Sequence, residues 1–151
     1  MIPVYNGGEA FRACVASVAA ALRISDEIIV VADGESDGSW RIAAEYGATV
    51  LKLEQNGGPA RARNHGAKAA TRDIVFFVDA DVTIRPNSLD LVAATFGKRM
   101  DIAAMIGSYD RIPHHSNFLS QYKNLLHHYV HQNGSAKAST FWGACGAIRR
   151  E

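Results

Sequence analysis

Phe76-Phe77-Val78-Asp79-Ala80-Asp81-Val82 is the stretch that decides the fold, because an apolar run ends there in two carboxylates one residue apart. Residues 73–78 are rich in β-branched and aromatic side chains, which predicts a short buried strand. In extended backbone, residues i and i+2 point to the same side, so Asp79 and Asp81 are expected to face one ligand or ion. Open α/β sheets bind ligands at this end of a strand, and paired carboxylates suit Mg²⁺ or Mn²⁺ beside a diphosphate. Two solvated carboxylates at a strand end are the alternative.

Strands and helices alternate on both sides of this stretch. Predicted strands cover residues 2–5, 27–32, 48–53, 73–78 and 102–106, and predicted helices cover 9–23, 38–46, 59–70, 86–99 and 117–131. The helices follow from apolar residues spaced three and four apart, and the strands from short, nearly continuous apolar runs. Ser36 or Asp37 is expected to cap the second helix, and Gly47 to end it. This alternation predicts an α/β fold with a mainly parallel sheet flanked by helices.

Length and composition indicate one domain, because 151 residues of which 48% are hydrophobic can form a proper core. Sixteen basic and fifteen acidic residues leave a net charge of +1, which gives no electrostatic reason to expect nucleic acid as a partner. Cys14 and Cys145 are too far apart in sequence for a disulfide framework or a zinc site, so free thiols in a reducing compartment are expected. No apolar run approaches the ~18 residues of a transmembrane helix, and no signal peptide is expected.

A glycine turn opens a basic helix before the central strand. Asn56-Gly57-Gly58-Pro59 supplies the turn, and Arg61 and Arg63 follow within the helix. Pro59 suits the first helical position because its φ is fixed and its N–H is missing. Backbone N–H groups at such a start, around Gly58, attract anions, and the arginines can add charge-assisted hydrogen bonds. An ordinary helix start with solvated arginines is the alternative.

The last third carries a helix with two histidines and an unusually wide apolar face. His127 and His131 are four residues apart, which places both rings on one side of the helix. No third ligand accompanies them, so polar surface histidines are favoured over a metal site. Apolar residues in 117–130 occupy more of the circumference than one buried stripe needs. Contact with an acceptor or a membrane surface, a dimer interface, and burial on the protein's own sheet are the open interpretations.

A glycine-containing apolar run closes the chain. Residues 140–150 combine an aromatic pair with Gly143 and Gly146. Glycine inside such a run predicts that the backbone lies close to another group. A plain edge strand is the alternative.

Five segments, taken in order and spacing, resemble family 2 glycosyltransferases of the GT-A fold. The segments are Ile2-Pro3-Val4-Tyr5-Asn6, the run from Val31 to Gly38, the run from Asn56 to Gly66, Val78-Asp79-Ala80-Asp81, and the run from Phe141 to Arg150. The resemblance covers essentially the whole chain. It implies a metal-dependent, inverting transferase whose sugar donor is a nucleoside diphosphate sugar, UDP-sugar before others, and whose acceptor is a sugar, lipid or protein.

The resemblance also assigns residues. It implies sugar-donor contacts from Pro3, Tyr5, Asn6, Asp33, Gly58, Arg63 and Asp79, a Mg²⁺ or Mn²⁺ ion on Asp81 and Asp79, and an acceptor side built by Trp142, Gly143 and Cys145. Asp33 would meet the base of the nucleotide, and Asp79 the ribose or the metal. Arg63 could instead hold loops together through Asp33 or Asp37, and this alternative stays open.

The chain departs from the family pattern in ways that limit the expected activity. Ala32 stands where the family has a second acid, and the chain stops at Glu151, before the segment that carries the general base in the family. We therefore expect a nucleotide-binding part in residues 1–107, an acceptor-side part in 108–151, an incomplete domain, and binding of the sugar donor with poor transfer. The expected location is the cytoplasm, with the inner face of the membrane as an open alternative.

Two other classes of function stay in view. A non-catalytic nucleotide-sugar-binding module would keep the site without turnover. A nucleotidyltransferase is less favoured, because Asn6-Gly7-Gly8-Glu9 has an acid where a phosphate loop would need a basic residue.

Overall fold

The computed structural model describes residues 1–112, 116–135 and 140–150. Its strands are β1 (Ile2–Val4), β2 (Ile29–Asp33), β3 (Thr49–Leu53), β4 (Ile74–Val78), β5 (Ala104–Ile106) and β6 (Cys145–Arg149). Its helices are α1 (Gly8–Ala21), α2 (Ser39–Glu45), α3 (Pro59–Ala69), α4 (Ser88–Lys98) and α5 (Phe118–Asn133). The predicted α/β alternation is confirmed through β5, with ends that differ by at most two residues.

The first half of the chain builds a parallel sheet. Its strand order is β1-β2-β3, and β2 pairs in parallel with both neighbours. All five residues of β2 are buried, as expected for a strand covered on both faces. The parallel arrangement brings the carboxyl ends of β1 and β2 to one edge of the sheet.

The second half departs from the parallel pattern. Here the order is β4-β6-β5, and β6 runs antiparallel to both neighbours. The interpretation of residues 140–150 as an edge strand is wrong, because β6 lies between two strands and begins only at Cys145. The small residues Gly146 and Ala147 fit this central position, where Gly146 and Ala147 are buried.

The two sheets meet along β1 and β4. The Met1 N-terminal nitrogen donates to the Phe76 carbonyl at 2.7 Å, and Val78 N–H donates to the Met1 carbonyl at 3.1 Å. This alternation of bonds is that of a parallel pair. The carboxyl end of β4, with Asp79 and Asp81 after it, therefore faces the same side as those of β1 and β2.

The core has a layer on each face of the joined sheets. On one face, Phe11 and Val15 of α1 pack with Val30 of β2 and Val78 of β4. On the other face, Ala70 after α3 packs with Ile29, Val75 and Phe77. The alternate residues of β2 and β4 thus face opposite layers, as period-two backbone requires. These layers fix β4 from both sides and so fix the position of the Asp pair.

The turn before α2 ties two loops together. Asp37 accepts hydrogen bonds from Ser39 N–H and Oγ and from Gly8 N–H at the start of α1. Burial raises the pKa of Asp37, but these hydrogen bonds outweigh it and lower that pKa to about 2. The N-cap residue is Gly38 rather than the predicted Ser36 or Asp37, but Asp37 and Glu35 both accept from Ser39 N–H in the first turn. Gly47, at φ +72°, ends α2 as predicted.

Helix α5 lies on the surface. Asn117 caps it by accepting from Ser120 N–H at 2.9 Å, and no residue of the helix is buried. Its burial against the protein's own sheet, one of the three interpretations above, is therefore wrong. None of the described helices is long and apolar enough to span a membrane.

Candidate functional site

A cavity of about 550 Å³ opens at the carboxyl end of β4. It is lined by Arg63, Asp79, Asp81, Val82, Tyr109 and the run from Thr140 to Ala144. Its volume falls within the roughly 300–1,000 Å³ range of ligand pockets. A second cavity, of about 100 Å³, lies between α1, α4 and the sheet and is too small for a nucleotide. The larger cavity is thus the candidate site.

Asp79 and Asp81 both line this cavity, but not as extended backbone. β4 ends at Val78, and residues 79–81 enter a turn closed by Val82 N–H donating to the Asp79 carbonyl at 3.0 Å. The expected common direction of the two side chains is supported. The extended backbone that was predicted to align them is wrong, because a turn brings the two side chains together.

Asp79 is held on several sides. Its N–H donates to the Ala144 carbonyl at 2.8 Å, and its own carbonyl accepts from the Cys14 thiol at 3.3 Å. Its carboxylate forms an ion pair with Arg63. Asp81, in contrast, is exposed, and its carboxylate makes no hydrogen bond or ion pair with the described residues. Asp79 is preorganised, while Asp81 is available to a ligand.

Arg63 joins the two walls of the cavity. It reaches from α3 to the Asp79 carboxylate, and its guanidinium lies against Gly143 in the opposite wall. A Cβ on Gly143 would come within 3.2 Å of Arg63 Nε, so the close backbone approach expected for this glycine run is observed. Arg63 Nε is buried without a hydrogen-bond partner among the described residues. The proposed alternative pairing of Arg63 with Asp33 or Asp37 is wrong, because its partner is Asp79.

Asp33 does not line the cavity. It is 3% exposed, and its carboxylate accepts from Gly57 N–H at 3.0 Å and from Gly58 N–H at 2.8 Å. These are the N–H groups at the start of α3 that were expected to attract a bound anion. The protein's own carboxylate satisfies them, because β2 ends directly beside that helix start. Asp33, which the resemblance assigns to the base of the nucleotide, therefore does not share the cavity with Asp79 and Asp81.

The loop after β1 also forms internal contacts. Asn6 adopts a left-handed backbone conformation at φ +49°, and its Oδ1 accepts from Ser36 N–H at 2.8 Å. Tyr5 beside it is 55% exposed, so its ring is free to meet a ligand. Pro3 is buried within β1 opposite Val31. None of the predicted donor contacts Pro3, Tyr5, Asn6 and Gly58 lines the cavity with the Asp pair.

Aromatic and histidine rings lie together at the wall of the cavity that contains Trp142, and the sequence predicted only part of this group. Trp142 packs against His127 at 5.2 Å and His131 at 5.4 Å between ring centroids. Tyr109 stacks on His127 at 5.3 Å and also lines the cavity. The two histidines lie on the surface helix α5, as predicted, but they are half-buried because they pack against these rings. Tyr109 carries no local sequence signal, since it lies in a polar loop.

Tyr109 and Cys145, beside the Asp pair, both have raised pKa values. Burial and the charges of Asp81 and Asp79 raise the pKa of Tyr109, and burial and Asp79 raise the pKa of Cys145. Cys145 itself starts β6 opposite Val78 and lies just behind the cavity wall rather than in it. The thiol is thus neutral and structural in this position.

The cavity offers carboxylate oxygens to a divalent cation. Two carboxylates face the cavity, and hard oxygen ligands are what Mg²⁺ and Mn²⁺ prefer. Within the described residues, no group of three or more His, Cys, Asp and Glu side chains could hold a metal ion. The two cavity carboxylates therefore fit an ion shared with a phosphate ligand, and the His127 and His131 pair has no third ligand among residues 1–112, 116–135 and 140–150.

The chain is similar to curated glycosyltransferases. The chain is 35% identical over 108 residues to the uncharacterized glycosyltransferase YibD of Escherichia coli strain K12, covering 68% of this chain and 31% of that protein. It spans about a third of the length of the curated relatives it matches. The matched region is therefore only a part of each of these relatives.

Solved structures show the same fold. S. aureus TarS 1–349 in complex with UDP-GlcNAc superposes with a TM-score of 0.68 at 26% identity, covering 77% of this chain and 35% of that one. The mannosyltransferase PcManGT from Pyrobaculum calidifontis, in complex with GDP-Man and Mn²⁺, gives a TM-score of 0.70 at 21% identity, with coverage of 99% and 43%.

The sequence profile of one family spans the same residues as the fold and the cavity. That profile, described as glycosyl transferase family 2, matches residues 1–151. The expected GT-A type of α/β fold is confirmed by the structural relatives. The chain therefore belongs to glycosyl transferase family 2.

Proposed function

We propose that this chain forms the sugar-donor site of an inverting, metal-dependent glycosyltransferase that uses a UDP-sugar. The observation that carries the proposal is the placement of Asp79, Asp81 and Arg63 on one cavity at the carboxyl end of β4. The complex of TarS with UDP-GlcNAc supports the choice of nucleotide, since that relative is 26% identical.

The two aspartates have different tasks in this proposal. Asp81 is exposed and unpaired within the described chain, so it supplies the carboxylate that holds a Mg²⁺ or Mn²⁺ ion. Asp79, fixed by Ala144 and Cys14, supplies the second oxygen or meets the ribose. When bound, the ion neutralises charge on the departing nucleoside diphosphate.

The remaining walls orient the two substrates. Tyr5 is exposed in the loop after β1, and we assign its ring a contact with the nucleotide. Phe141, Trp142 and Gly143 form the floor on the acceptor side. Holding donor and acceptor in line is the main contribution of such walls, because positioning supplies on the order of 7–11 kcal/mol of a bimolecular barrier.

The general base is left unassigned. Asp79 and Asp81 are the only carboxylates that line the cavity among the described residues. Asp110 is the one acid among the described residues of the acceptor-side part, and its carboxylate lies 3.7 Å from Arg85 Nη2 and accepts from Ile112 N–H instead. An inverting transfer needs a base to take the acceptor proton, typically worth ~10²–10⁴-fold in rate.

Calorimetry with UDP and Mn²⁺ tests the proposal. We expect Asp81→Ala to lose the metal-dependent part of the UDP affinity, because one of the two cavity carboxylates is gone. Asp101→Ala is the control, since Asp101 pairs with Arg99 far from the cavity. Equal metal-dependent UDP affinity in the parent chain and Asp81→Ala would remove Asp81 from the site. Assaying hydrolysis of the UDP-sugar on the same samples separates an enzyme from a binding module.

A further inference from the structure

Arg63 occupies one of the two carboxylates to which the proposed function assigns the metal. Its Nη2 pairs with Asp79 Oδ1, and both side chains are partly exposed to the cavity. A cation that binds Asp79 must therefore compete with a guanidinium already in place. Two like charges cannot share one carboxylate without mutual repulsion.

The pairing leaves Arg63 incompletely satisfied. Its Nε is buried against Gly143 and has no hydrogen-bond partner among the described residues. An unpaired buried donor is unfavourable, and more so on a charged group. A guanidinium has five N–H donors in a planar fork that matches phosphate oxygens. A diphosphate in the cavity would offer this side chain the acceptors that it now lacks.

We propose that Arg63 is an exchangeable counter-ion: it neutralises Asp79 while the cavity holds no nucleotide, and moves to the diphosphate when a divalent cation takes that carboxylate. The inference rests on the proposed function and deepens it. With Arg63 on Asp79, Asp81 is the one cavity carboxylate of the described residues that has no ion-pair partner. Arg63 is a positioning residue for the ion and a direct ligand of the diphosphate.

The exchange makes binding of the cation and the nucleotide mutually dependent. While Arg63 pairs with Asp79, the cation alone meets a partly neutralised site and binds weakly. Once a diphosphate draws Arg63 away, Asp79 becomes available and the cation binds more tightly. Linkage then requires that the cation strengthen nucleotide binding by the same factor.

The test measures Mn²⁺ affinity by calorimetry, first without nucleotide and then with UDP. Arg63→Gln removes the competing charge, so we expect Mn²⁺ alone to bind about two- to fivefold tighter, since partly exposed ion pairs contribute less than one decade in affinity. In the same variant, UDP at saturating Mn²⁺ should bind at least about tenfold more weakly, because a charge-assisted contact is lost.

Three further variants separate charge from other effects. Lys68→Gln removes the same charge from the exposed last turn of α3 and should leave both affinities unchanged. Arg63→Lys keeps the charge and should leave the affinity for Mn²⁺ alone near that of the parent chain. Gly143→Ala, whose Cβ would lie 3.2 Å from Arg63 Nε, should loosen the ion pair and raise that affinity even if Arg63→Gln fails to fold.

The outcomes distinguish this inference from the proposed function. If the parent chain binds Mn²⁺ and UDP together, but neither Arg63→Gln nor Gly143→Ala binds Mn²⁺ alone more tightly, the counter-ion exchange is refuted and the metal site stands. If the parent chain shows no Mn²⁺-dependent UDP binding, both proposals fall together. Tighter binding of Mn²⁺ alone in Arg63→Gln but not in Lys68→Gln supports the exchange.

Discussion

At the residue scale, Asp33 is the one charged side chain that the fold buries among the described residues. Its carboxylate accepts from the N–H groups of Gly57 and Gly58 and so fixes the turn before α3. Asp33→Asn would turn one acceptor oxygen into an NH₂ donor that faces those N–H groups. An unsatisfied buried donor costs about 1–3 kcal/mol, so we expect the free energy of unfolding to fall by that amount.

Urea unfolding measures this change, and the chain offers a matched control. Asp73 is exposed before β4, and its carboxylate has no hydrogen bond or ion pair with the described residues. Asp73→Asn should change the free energy of unfolding by less than about 0.5 kcal/mol, as surface substitutions usually do. Similar small losses in both variants would contradict the structural role given to Asp33.

Two glycines with positive φ form a second matched pair. A Cβ on Gly34, at φ +66°, would overlap the backbone N of Asn56 and lie 2.7 Å from the Gln55 carbonyl carbon. Gly47, at φ +72°, has no atom within 4 Å of such a Cβ. We expect Gly47→Ala to cost about 1–2 kcal/mol for the left-handed conformation alone. Gly34→Ala should cost at least about 3 kcal/mol, because the backbone of the next loop must also move.

Thermal and urea unfolding of the two alanine variants checks this difference. Equal destabilisation would mean that only the positive φ matters, and that the loops after β2 and β3 are not in tight contact. A larger loss in Gly34→Ala supports the close packing that places Gly57 and Gly58 beside Asp33.

At the scale of elements, α5 meets the rest of the protein through its histidines. His131 packs on Trp142 and Tyr109, and its Nδ1 has no partner among the described residues. Burial, and then the charges of His127 and His128, lower the pKa of His131 from 6.5. The unfolded chain therefore takes up a proton first as pH falls. Stability from this contact is complete above pH 6.5 and is lost as pH falls through the lowered pKa.

This linkage predicts a pH effect that depends on one residue. Between about pH 7.5 and about pH 5.5, the parent chain should lose more free energy of unfolding than His131→Gln does. His65→Gln is the control, since His65 is exposed on α3 and should leave the pH dependence of the parent chain unchanged. The same pH dependence in the parent chain and His131→Gln would show that the packing of α5 does not restrict protonation.

At the scale of the whole molecule, α5 presents a wide apolar surface to solvent. It is formed by Phe118, Leu119, Tyr122, Leu125, Leu126, Tyr129 and Val130, each at least 43% exposed. Such contiguous apolar patches mark interaction sites. In a solution of this chain alone, α5 can cover this surface by packing against α5 of another copy. We therefore predict self-association through α5 at high concentration.

Sedimentation velocity over a range of concentrations measures this association. Leu126→Lys should shift the chain to monomer by placing a charge within the patch. Ile24→Lys is the control, because Ile24 is fully exposed in the turn before β2 and lies outside α5. A parent chain that stays monomeric at all concentrations would contradict the prediction, and liposome flotation then tests the alternative of a membrane surface.

The sequence by itself determined the helices and strands, the turn glycines, the Asp pair and the family. These features depend on local periodicity, backbone preferences and short motifs. All of these signals lie within short stretches of the sequence. Only the tertiary structure decided that Arg63 pairs with Asp79, that Asp33 holds Gly57 and Gly58, that β6 lies between β4 and β5, and that Tyr109 and the histidines surround Trp142. Each of these contacts joins segments that are far apart in the chain. The packing of whole helices and strands determines which side chains meet. The sequence alone does not distinguish among several possible pairs of carboxylate and arginine.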